Sequence, residues 1–466
     1  MAKQDTQPAR GTRDFLPAEA RRRAHVIAIV REVFERHGFE PLETPAIERL
    51  GALLGKYGDE GDQLLFKVLL RGQPLVDGIR EAHAKLAAPG GVVTGRSGET
   101  APGAEPLLAD LGLRYDLTVP LARVYAAHRS KLPAVFKRYQ IQPVWRADTP
   151  GKGRFREFLQ CDVDVVGSTS PLAETEVLCA ATVCMEKLGF REFAIRLNHR
   201  ALLHALCEVA GVPPALEGTA IVAIDKLDKI GANAVAAELR ERGVVHPERL
   251  LEALAANDLD AVGKVVSDHA PGAAAVANLR EIVAFLRETP VGAHVRFDAS
   301  LARGLGYYTG AIFEIQVADL AGALAGGGRY DGLVGSFSGQ SVPAVGCSLG
   351  LERILAVLEE RGALPSEVRG LDVVVAATDA ADLHAALGLA TRLRASGLRA
   401  DLWPEAISPG KLRKHADERG ITAAAWLERG VRDRASVWTR AGGATRNDVE
   451  FDALDALLRA VTEPAS

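Results

Sequence analysis

The sequence predicts a multidomain α/β protein, and three observations support that prediction. An alternation of polar and apolar residues within positions 135–167 is typical of two paired strands. Residues from about 200 to 293 are rich in Ala, Leu and Val at helical spacing. After position 370, strand and helix patterns alternate, which indicates a separate α/β domain. With 466 residues, the chain is long enough for two to four domains.

Composition and charge narrow the class of protein. The chain is 48% hydrophobic and 25% charged, which is ordinary for a soluble globular protein. Its formal charge of −4 means that contacts with nucleic acid must come from local basic patches. The five cysteines lack metal-ligand spacing, so we expect buried thiols in a reducing compartment. The opening MAKQDTQPAR has no apolar core, and no run of 18 apolar residues occurs, so we expect a cytoplasmic protein without membrane spans.

The first predicted elements are a helix and a short strand. The helix begins near Pro17 and ends at Gly38, and its apolar residues recur at helical spacing. Residues 39–48 (FEPLETPAIE) then predict a strand interrupted by proline. Such a pair often lies at a subunit interface, but packing within its own domain is equally compatible with the sequence. Residues 71–108 show little periodicity and predict a long surface insertion or mobile loop.

A short polar strand and a helix are predicted in residues 113–127. The two paired strands within residues 135–167 follow and form a predicted hairpin. Its second strand, from position 154 onward, has a polar and aromatic face composed of Arg154, Arg156, Phe158, Gln160, Asp162 and Asp164. The opposite face is predicted to lie in the core and consists of Phe155, Glu157, Leu159, Cys161, Val163 and Val165. A solvated edge hairpin is the simpler interpretation of the polar face, and later segments of the chain favour a binding site.

The remaining elements follow in order. A capped helix is predicted over residues 172–188, and the helical region extends from 200 to 293. Two strands are predicted at 294–297 and 311–317, and a last helix at 349–360. Beyond a polar link, strands are predicted at 373–376, 398–403 and 422–427, and helices at 381–394 and 411–419. These last two helices carry basic residues that are typical of a solvated face or of a binding surface, namely Arg392, Arg394, Lys411, Arg413, Lys414 and Arg419.

Three later segments add groups that suit a charged ligand. Residues 303–314 read RGLGYYTGAIFE, in which an arginine precedes two tyrosines and glycines allow close approach of a ligand. Residues 325–332 (AGGGRYDG) and 345–353 (VGCSLGLER) add glycine turns and an arginine on a helix. A single glycine-rich stretch is weak evidence, but its combination with spaced Arg, Tyr and Asp residues is much stronger. Together with the hairpin, they suit a polyanion, a flat ring and a small zwitterion.

With these segments the chain resembles the histidyl-tRNA synthetase family of class II aminoacyl-tRNA synthetases. The residues similar to motif 2 of that class are Arg146, Asp148, Arg154, Phe158 and Asp162, with Asp148 in place of the usual Glu. Residues 346–353 resemble motif 3, and 39–48 resemble motif 1 with its proline, here Pro45.

The histidine-specific elements of the family are also matched. LRYDLTVP at 113–120 and RGLGYYTG at 303–310 resemble them, and GTRDFLP at 11–17 resembles the family's opening. Two features depart from the family pattern. Gly306 stands where the family usually has Asp, and the segment 71–108 is longer than the pattern requires.

The resemblance implies a class II fold and four parts of the chain. The catalytic domain, a mainly antiparallel sheet with helices, would comprise residues 1–200 and 294–362, and a helical insertion would comprise 201–293. A linker at 363–370 would lead to an anticodon-binding α/β domain at 371–466. The implied reaction joins L-histidine to tRNA(His) at the expense of ATP with Mg²⁺. The implied enzyme is a cytoplasmic homodimer of protein biosynthesis that does not contact a membrane.

The resemblance also implies which residues contact each substrate. Those for ATP are Arg146, Arg154, Phe158 and Arg353. Those for histidine are Asp116, Leu117, Thr118, Arg146, Gln160, Asp164, Arg303, Tyr307, Tyr308 and Tyr330. Arg146 and Arg303 would be catalytic, with Arg303 at the α-phosphate where other class II enzymes place a metal ion. A satisfied buried hydrogen-bonded pair is the alternative interpretation of Asp164 and Tyr308.

Two other functions remain as alternatives at this stage. A regulatory subunit of ATP phosphoribosyltransferase resembles the catalytic domain but aminoacylates nothing. The C-terminal domain and the retained Arg146, Arg303 and Arg353 argue against it. A class II synthetase for proline or threonine is the second alternative, and RGLGYYTG argues against that one.

Overall fold

The computed structural model describes residues 6–86, 93–94, 100–101, 105–224, 226–255, 258–302, 306–320, 322–365, 368 and 370–462. They form two compact units. The first comprises Met1–Asp14 and Val26–Leu364, and the second comprises Phe15–His25 and Pro365–Ser466.

Helices occur along the whole described chain. In order they are α1 (Pro17–Arg36), α2 (Leu50–Leu53), α3 (Gly58–Gln63), α4 (Gln73–Leu86), α5 (Glu105–Leu108), α6 (Thr118–His128), α7 (Leu172–Lys187), α8 (Arg200–Val209), α9 (Glu217–Ile224), α10 (Leu227–Glu241), α11 (Pro247–Ala255), α12 (Leu259–Val265), α13 (Ala270–Arg287), α14 (Asp331–Ser338), α15 (Leu351–Glu360), α16 (Leu383–Ala395), α17 (Pro409–Glu418) and α18 (Phe451–Thr462). Short 3₁₀ turns lie at Arg129–Lys131, Pro214–Leu216, Pro290–His294 and Ala380–Asp382.

The strands are numbered in the same way. In order they are β1 (Glu40–Pro41), β2 (Ile47–Arg49), β3 (Lys67–Leu69), β4 (Val93–Thr94), β5 (Thr100–Ala101), β6 (Ala109–Leu113), β7 (Phe136–Trp145), β8 (Glu157–Val166), β9 (Ala194–His199), β10 (Val295–Phe297), β11 (Ala311–Gln316), β12 (Ala325–Arg329), β13 (Ala344–Gly350), β14 (Val373–Ala377), β15 (Ala400–Leu402), β16 (Ala423–Leu427), β17 (Arg434–Thr439) and β18 (Thr445–Glu450).

An eight-stranded sheet forms the centre of the first unit. Its strand order is β1-β7-β8-β13-β12-β11-β9-β10. Neighbouring strands are antiparallel except at the two edges, where β1 is parallel to β7 and β10 is parallel to β9. The sheet is therefore mixed and mainly antiparallel, and the predicted fold class is confirmed.

The predicted hairpin consists of β7 and β8, which pair from Phe136 with Val166 to Trp145 with Glu157. β8 begins three positions later than its alternation predicts. Gly151 and Arg154 exchange backbone hydrogen bonds of 2.9 and 3.0 Å and close a tight turn there, so the chain before Glu157 is not extended.

This turn changes the surroundings of two side chains. Phe155, which the alternation places in the core, instead lies against the Arg13 guanidinium, 3.8 Å from its ring centre. Arg156, predicted on the polar face, donates from Nε to Asp148 O at 3.1 Å. Within β8 the alternation holds at Cys161, Val163 and Val165, which are buried in the core. It is wrong for Glu157, which was predicted on the core face but is exposed at the first position of the strand.

Helices cover the apolar side of the large sheet. α7 packs against β8, β12 and β13. α8 to α13 lie between β9 and β10 in the chain, α13 packs against both α7 and α8, and their apolar residues continue the same core. α10 is kinked at Gly231, where φ is +79°.

A small sheet of order β2-β6-β3 lies next to a buried polar network. Arg114, 2% exposed, donates to Thr44 O at 2.6 Å, to Gln142 Oε1 at 2.9 Å and to Pro143 O at 2.8 Å. The network holds the 39–48 segment beside β7. The structure divides the strand predicted over 39–48 into β1 and β2, and Pro45, which lacks the N–H group that a sheet requires, lies between them.

The prediction of a mobile loop over 71–108 is wrong for residues 73–86, which form α4. A Cβ at Gly78 would lie 2.3 Å from Leu107 O, so this glycine allows α4 to approach α5 closely. Gly78 in this segment therefore serves close packing of two helices. β4 and β5 pair in antiparallel fashion, and residues 87–92, 95–99 and 102–104 lie outside the described part.

The second unit has a five-stranded sheet of order β15-β14-β16-β17-β18. The first three strands are parallel and the last two pairs are antiparallel. α16 and α18 cover one face and α17 covers the other. The strands and helices predicted up to position 427 are present, whereas β17, β18 and α18 were not predicted.

Two expectations from the sequence concerned buried thiols and membrane-spanning helices. All five cysteines are free thiols, and four of them are buried. Among the described residues, no helix has the length and apolar character needed to span a bilayer.

Candidate active site

A cavity of about 840 Å³ opens over the polar face of β8. Most site residues predicted from the sequence line it, namely Asp116, Thr118, Arg146, Arg154, Phe158, Gln160, Asp164, Tyr307, Tyr308, Tyr330 and Arg353. Arg303 lies outside the described residues. Leu117 is fully buried and does not line the cavity; its carbonyl oxygen accepts a hydrogen bond from Arg138 Nη2 at 3.2 Å.

Arg146 follows the last residue of β7 and lies in the cavity wall. Its Nε donates to Tyr115 O at 3.0 Å. Its guanidinium carbon is 4.2 Å from the Tyr115 ring centre and 5.2 Å from that of Phe158. One hydrogen bond and two aromatic rings therefore fix this cation, which suits it to an anionic group of a ligand.

Three more arginines contribute to the wall. Arg353, on α15, donates from Nη1 to Ala323 O at 2.7 Å. Arg154 lies at the tight turn. Arg196, on β9, is ion-paired with Asp298, whose other oxygen accepts from Ser300 Oγ at 2.6 Å. These cations make part of the cavity suitable for a polyanion.

Asp116 is a buried acceptor in another part of the wall. Its Oδ1 accepts from Tyr57 OH at 3.2 Å and from Val119 N at 3.0 Å, and its Oδ2 accepts from Tyr307 OH at 3.2 Å. Burial raises the pKa of Asp116, while these hydrogen bonds and the charge of Arg146 lower it. Burial also holds the pKa of Tyr307 well above its usual value, so its hydroxyl remains a donor.

Asp164 is held by two partners. It forms an ion pair with Arg138 at 2.9 Å, and Tyr330 OH donates to its Oδ1. Both Arg138 and Tyr330 are at most 1% exposed. Burial raises the pKa of Asp164, whereas Arg138 and the Tyr330 hydrogen bond lower it. The structure therefore shows Arg138 and Tyr330 as partners of Asp164.

Gln160 and Asp162 lie on the same face of β8. Gln160 Nε2 donates to Ser348 Oγ at 3.0 Å. Gln160 Oε1 and Asp162 Oδ1 are buried and accept no hydrogen bond from the described part of the chain. Burial, together with the charge of Asp164, raises the pKa of Asp162 to about 7 against the opposing effect of Arg138.

Glycines on β12 allow the backbone of the sheet beneath the cavity to pack closely. A Cβ at Gly327 would lie 1.9 Å from Gly346 O, and one at Gly328 would lie 2.6 Å from Ala311 O. Only glycine fits this close backbone packing. The glycines of the segment AGGGRYDG thus allow close packing in the sheet, and Tyr330 of the same segment lines the cavity.

Several wall residues were not predicted from the sequence as site residues. Glu352 is 5% exposed; it is ion-paired with Arg13 and accepts from Leu159 N at 3.4 Å. Arg196 and Glu314 are paired positions of β9 and β11 and both line the cavity. The available signal was a charged residue between buried apolar neighbours, as in Ile195, Arg196 and Leu197.

The cavity is lined by charges of both signs. Its arginines are Arg146, Arg154, Arg196 and Arg353, and three of its carboxyl groups, those of Asp116, Asp162 and Asp164, are at most 2% exposed. This arrangement suits two ligands together, a polyanion and a small cationic or zwitterionic molecule. The Arg146 charge lowers the pKa of Asp116, and its guanidinium lies near Phe158, so Arg146 is close both to a buried carboxyl group and to an aromatic ring of the wall.

Comparison with known proteins shows the family to which this chain belongs. The sequence model of the family described as "Histidyl-tRNA synthetase" matches residues 11–75 and 108–354. The chain belongs to the histidyl-tRNA synthetase family. A histidine–tRNA ligase of Cytophaga hutchinsonii is 38% identical, over 88% of this chain and 90% of that protein. Those of Porphyromonas gingivalis and Christiangramia forsetii are 41% and 37% identical, over 87% and 98% of this chain and 87% and 100% of theirs.

Solved structures agree with membership of the histidyl-tRNA synthetase family. The crystal structure of histidyl-tRNA synthetase from Nostoc sp. PCC 7120 has a TM-score of 0.77 and 26% identity, covering 98% of this chain and all of that one. A Bacillus halodurans structure, titled an ATP phosphoribosyltransferase regulatory subunit/histidyl-tRNA synthetase, has a TM-score of 0.69 and 20% identity, over 92% of this chain and 100% of that one. The second likeness shows the shared fold alone.

Proposed function

We propose that the chain is a histidine–tRNA ligase, which converts ATP, L-histidine and tRNA(His) into histidyl-tRNA(His), AMP and diphosphate. The observation that carries the proposal is one cavity lined by both arginines and buried carboxyl groups, with the charge of Arg146 acting on Asp116. The phosphates of ATP suit the arginines, and an amino acid with an ammonium group and an imidazole suits the carboxyl groups. Family membership supports the same activity.

The first step is the attack of a histidine carboxylate oxygen on the α-phosphorus of ATP. The new phosphorus–oxygen bond forms as the bond to the α,β-bridging oxygen breaks, and diphosphate leaves with that electron pair. Because the carboxylate is already ionised, no base has to remove a proton from it. The rate then depends on alignment and on neutralising the charge that develops on the phosphate oxygens. The histidyl group finally passes to the terminal ribose of the tRNA, and AMP leaves.

The cations have distinct roles in this proposal. Arg146, fixed by Tyr115, would hold the α-phosphate and the substrate carboxylate. Arg154 and Arg353 would contact the γ-phosphate, and Phe158 with Arg353 would enclose the adenine. Arg303 would reach the α-phosphate from the other side, a role that rests on the RGLGYYTG resemblance.

Magnesium would accompany ATP as its counterion. The described residues contain no group of three or more His, Cys, Asp or Glu side chains that could hold a metal ion. Mg²⁺ commonly binds to phosphates and only one or two carboxylates, and Glu314 and Glu352 line the cavity. The residues therefore fit an ion held chiefly by the nucleotide.

The histidine contacts follow from the buried acceptors. Asp116, Thr118 and Gln160 would bind the ammonium group. Asp164, which Arg138 holds in an ion pair, would accept the imidazole N–H, and Tyr308 would contact the same ring. Tyr307 and Tyr330 would complete the walls. An amino acid without matching polar groups would leave buried partners unpaired, which disfavours it.

The second unit would bind the anticodon stem of tRNA(His). Its α17 exposes Lys411, Arg413 and Lys414, while Leu412 and Ala416 are buried in the core. Exposed cations at this spacing suit the phosphates of an RNA stem. We further infer a cytoplasmic homodimer, as the family resemblance implies.

Histidine-dependent exchange of labelled diphosphate into ATP tests the proposal. Purified protein should exchange with histidine and not with proline or threonine, and it should charge tRNA(His). A regulatory subunit would do neither. Exchange that depends on another amino acid, or no exchange at all, would refute the assignment.

A further inference from the structure

Asp162 is a buried carboxyl group in the cavity wall for which the proposed function has no role. It lies between Gln160 and Asp164 on one face of β8 and is 2% exposed. Its Oδ1, like Gln160 Oε1, accepts no hydrogen bond from any described residue. Buried polar atoms in folded proteins nearly always have a partner. Two neighbouring acceptors that lack one indicate that a ligand supplies the donors.

The groups facing Asp162 indicate the charge of that ligand. They are Arg138 on β7, Asp164 on β8 and the Ser348 hydroxyl on β13, which donates a hydrogen bond to the Asp162 carboxylate. Arg114 and Asp116, both between β6 and α6, and Tyr330, which follows β12, also interact with Asp162 electrostatically. Three carboxyl groups are thus buried together, and Arg138 is already paired with one of them, Asp164. Asp162 therefore has no ion-pair partner of its own in the described chain. A cationic group at its Oδ1 would provide one.

We propose that Asp162 is a further substrate-binding residue, whose carboxylate receives the α-ammonium group of histidine together with Gln160 Oε1. This inference rests on the proposed function and adds a contact to it. It assigns Asp162 to the ammonium side of the substrate and leaves the imidazole to Asp164.

The ammonium group fits these acceptors better than the imidazole does. It carries a full positive charge and three N–H donors, enough for Gln160 Oε1, Asp162 Oδ1 and a third acceptor such as Asp116. A neutral imidazole offers one N–H and no charge, so it would leave Asp162 uncompensated. Asp164 is oriented by Arg138 and Tyr330 and suits that single planar donor.

Proton release provides a readout that a purely structural residue would not give. Because the pKa of Asp162 is raised to about 7, the free protein carries a proton there in part of its molecules at neutral pH. A bound ammonium group favours the ionised carboxylate. Histidine binding near pH 7 should therefore release protons from this site.

The experiment is calorimetric titration of the full chain in buffers of different ionisation enthalpy. Two ligands are compared, L-histidine and 3-(imidazol-4-yl)propanoate, which lacks only the ammonium group. The proteins are the wild type, Asp162→Asn and a control, Asp268→Asn, which changes an exposed carboxyl group. We expect Asp162→Asn to weaken histidine binding by about 10- to 100-fold, to leave analogue binding unchanged and to lose the extra proton release. The control should match the wild type.

Three outcomes would overturn the inference. The first is unchanged histidine affinity in Asp162→Asn, and the second is equal weakening for both ligands, which would place Asp162 at the imidazole. The third is the release of equal numbers of protons when histidine and the analogue bind to the wild-type protein. This measurement does not depend on how the variant folds. In each of these cases, if the wild type binds histidine, the proposed function still stands. Failure of the wild type to bind histidine refutes both.

Discussion

Gly346 on β13 lies directly opposite Asp164 on β8, and a Cβ at Gly346 would come within 1.8 Å of Asp164 Oδ1. The space that a side chain would occupy is filled by the carboxylate of the neighbouring strand. Gly346 of the segment VGCSLGLER thus leaves the space in which the buried Asp164 carboxylate lies.

Replacing Gly346 with Ala should displace Asp164 and break its contact with Tyr330. We expect the histidine KM to rise at least about tenfold and the free energy of unfolding to fall by about 1–3 kcal/mol, because the added methyl group overpacks the sheet. Steady-state kinetics and urea unfolding measure the two effects. Gly332→Ala is the control, since a Cβ there meets nothing within 4 Å. A normal histidine KM in the Gly346→Ala enzyme would contradict the proposed role of Asp164.

Removing the Tyr330 hydroxyl should affect histidine more than ATP. In Tyr330→Phe the Asp164 carboxylate loses a buried donor, at a cost of about 1–3 kcal/mol. We expect the histidine KM to rise by about 5- to 100-fold and the ATP KM to change little. Tyr139→Phe is a matched control, because its hydroxyl donates to Glu35 at 2.7 Å, outside the cavity. Equal effects on both substrates would show that Tyr330 only supports the fold.

His199 should make the stability depend on pH. Burial, with a smaller effect of Arg329, lowers its pKa to about 4 from an unfolded value of 6.5. Between these pH values the unfolded chain binds a proton that the folded protein does not, so stability falls as pH falls from 6.5 towards 4. The loss is at most about 3 kcal/mol, because about 2.5 pKa units separate the two states.

His199→Asn tests this pH dependence. His199 caps α8 by accepting from Ala201 N at 3.1 Å, and Asn can make the same bond. Urea unfolding at pH 7 and pH 5 should show a smaller difference in the variant than in the wild type. The same difference in both proteins would mean that other groups cause the acid sensitivity.

Reversing the charges of Lys411, Arg413 and Lys414 should weaken tRNA charging and flatten its dependence on salt. Each phosphate that the protein no longer neutralises should reduce the slope of log K against log salt by about one. The KM for tRNA measured at several salt concentrations gives that slope, and histidine-dependent diphosphate exchange should not change. Reversal of Lys264 and Arg280, exposed in the first unit, is the control. An unchanged slope would mean that α17 exposes these residues only to solvent.

The part of the site on β8 could be predicted because strand alternation is a local property. Positions 158, 160, 162 and 164 lie on one face whatever the partner strands are. The alternation failed at Phe155, since the tight turn at Gly151 ends the extended chain there. Turn geometry of this kind depends on the conformation of a few residues and leaves no periodic signal.

Partners across the sheet could not be predicted in the same way. Arg138 contacts Asp164 because β7 and β8 pair in one register, which places these residues opposite each other. Arg196 and Glu314 meet the cavity only because β9 pairs with β11. Such relations depend on tertiary structure, so the identity of the residues alone does not reveal them.

The order of the strands in the central sheet also bears on how the protein is made. β13 is the second neighbour of β8 in the sheet, and residues 167–343 separate the two strands in the sequence. A ribosome therefore synthesises the apolar strand CDVDVV long before the strand that covers its open edge. Unpaired strand edges of this kind favour aggregation, so we expect the growing chain to be prone to aggregation until β13 emerges. Prematurely terminated products that end before position 344 should be insoluble or rapidly degraded.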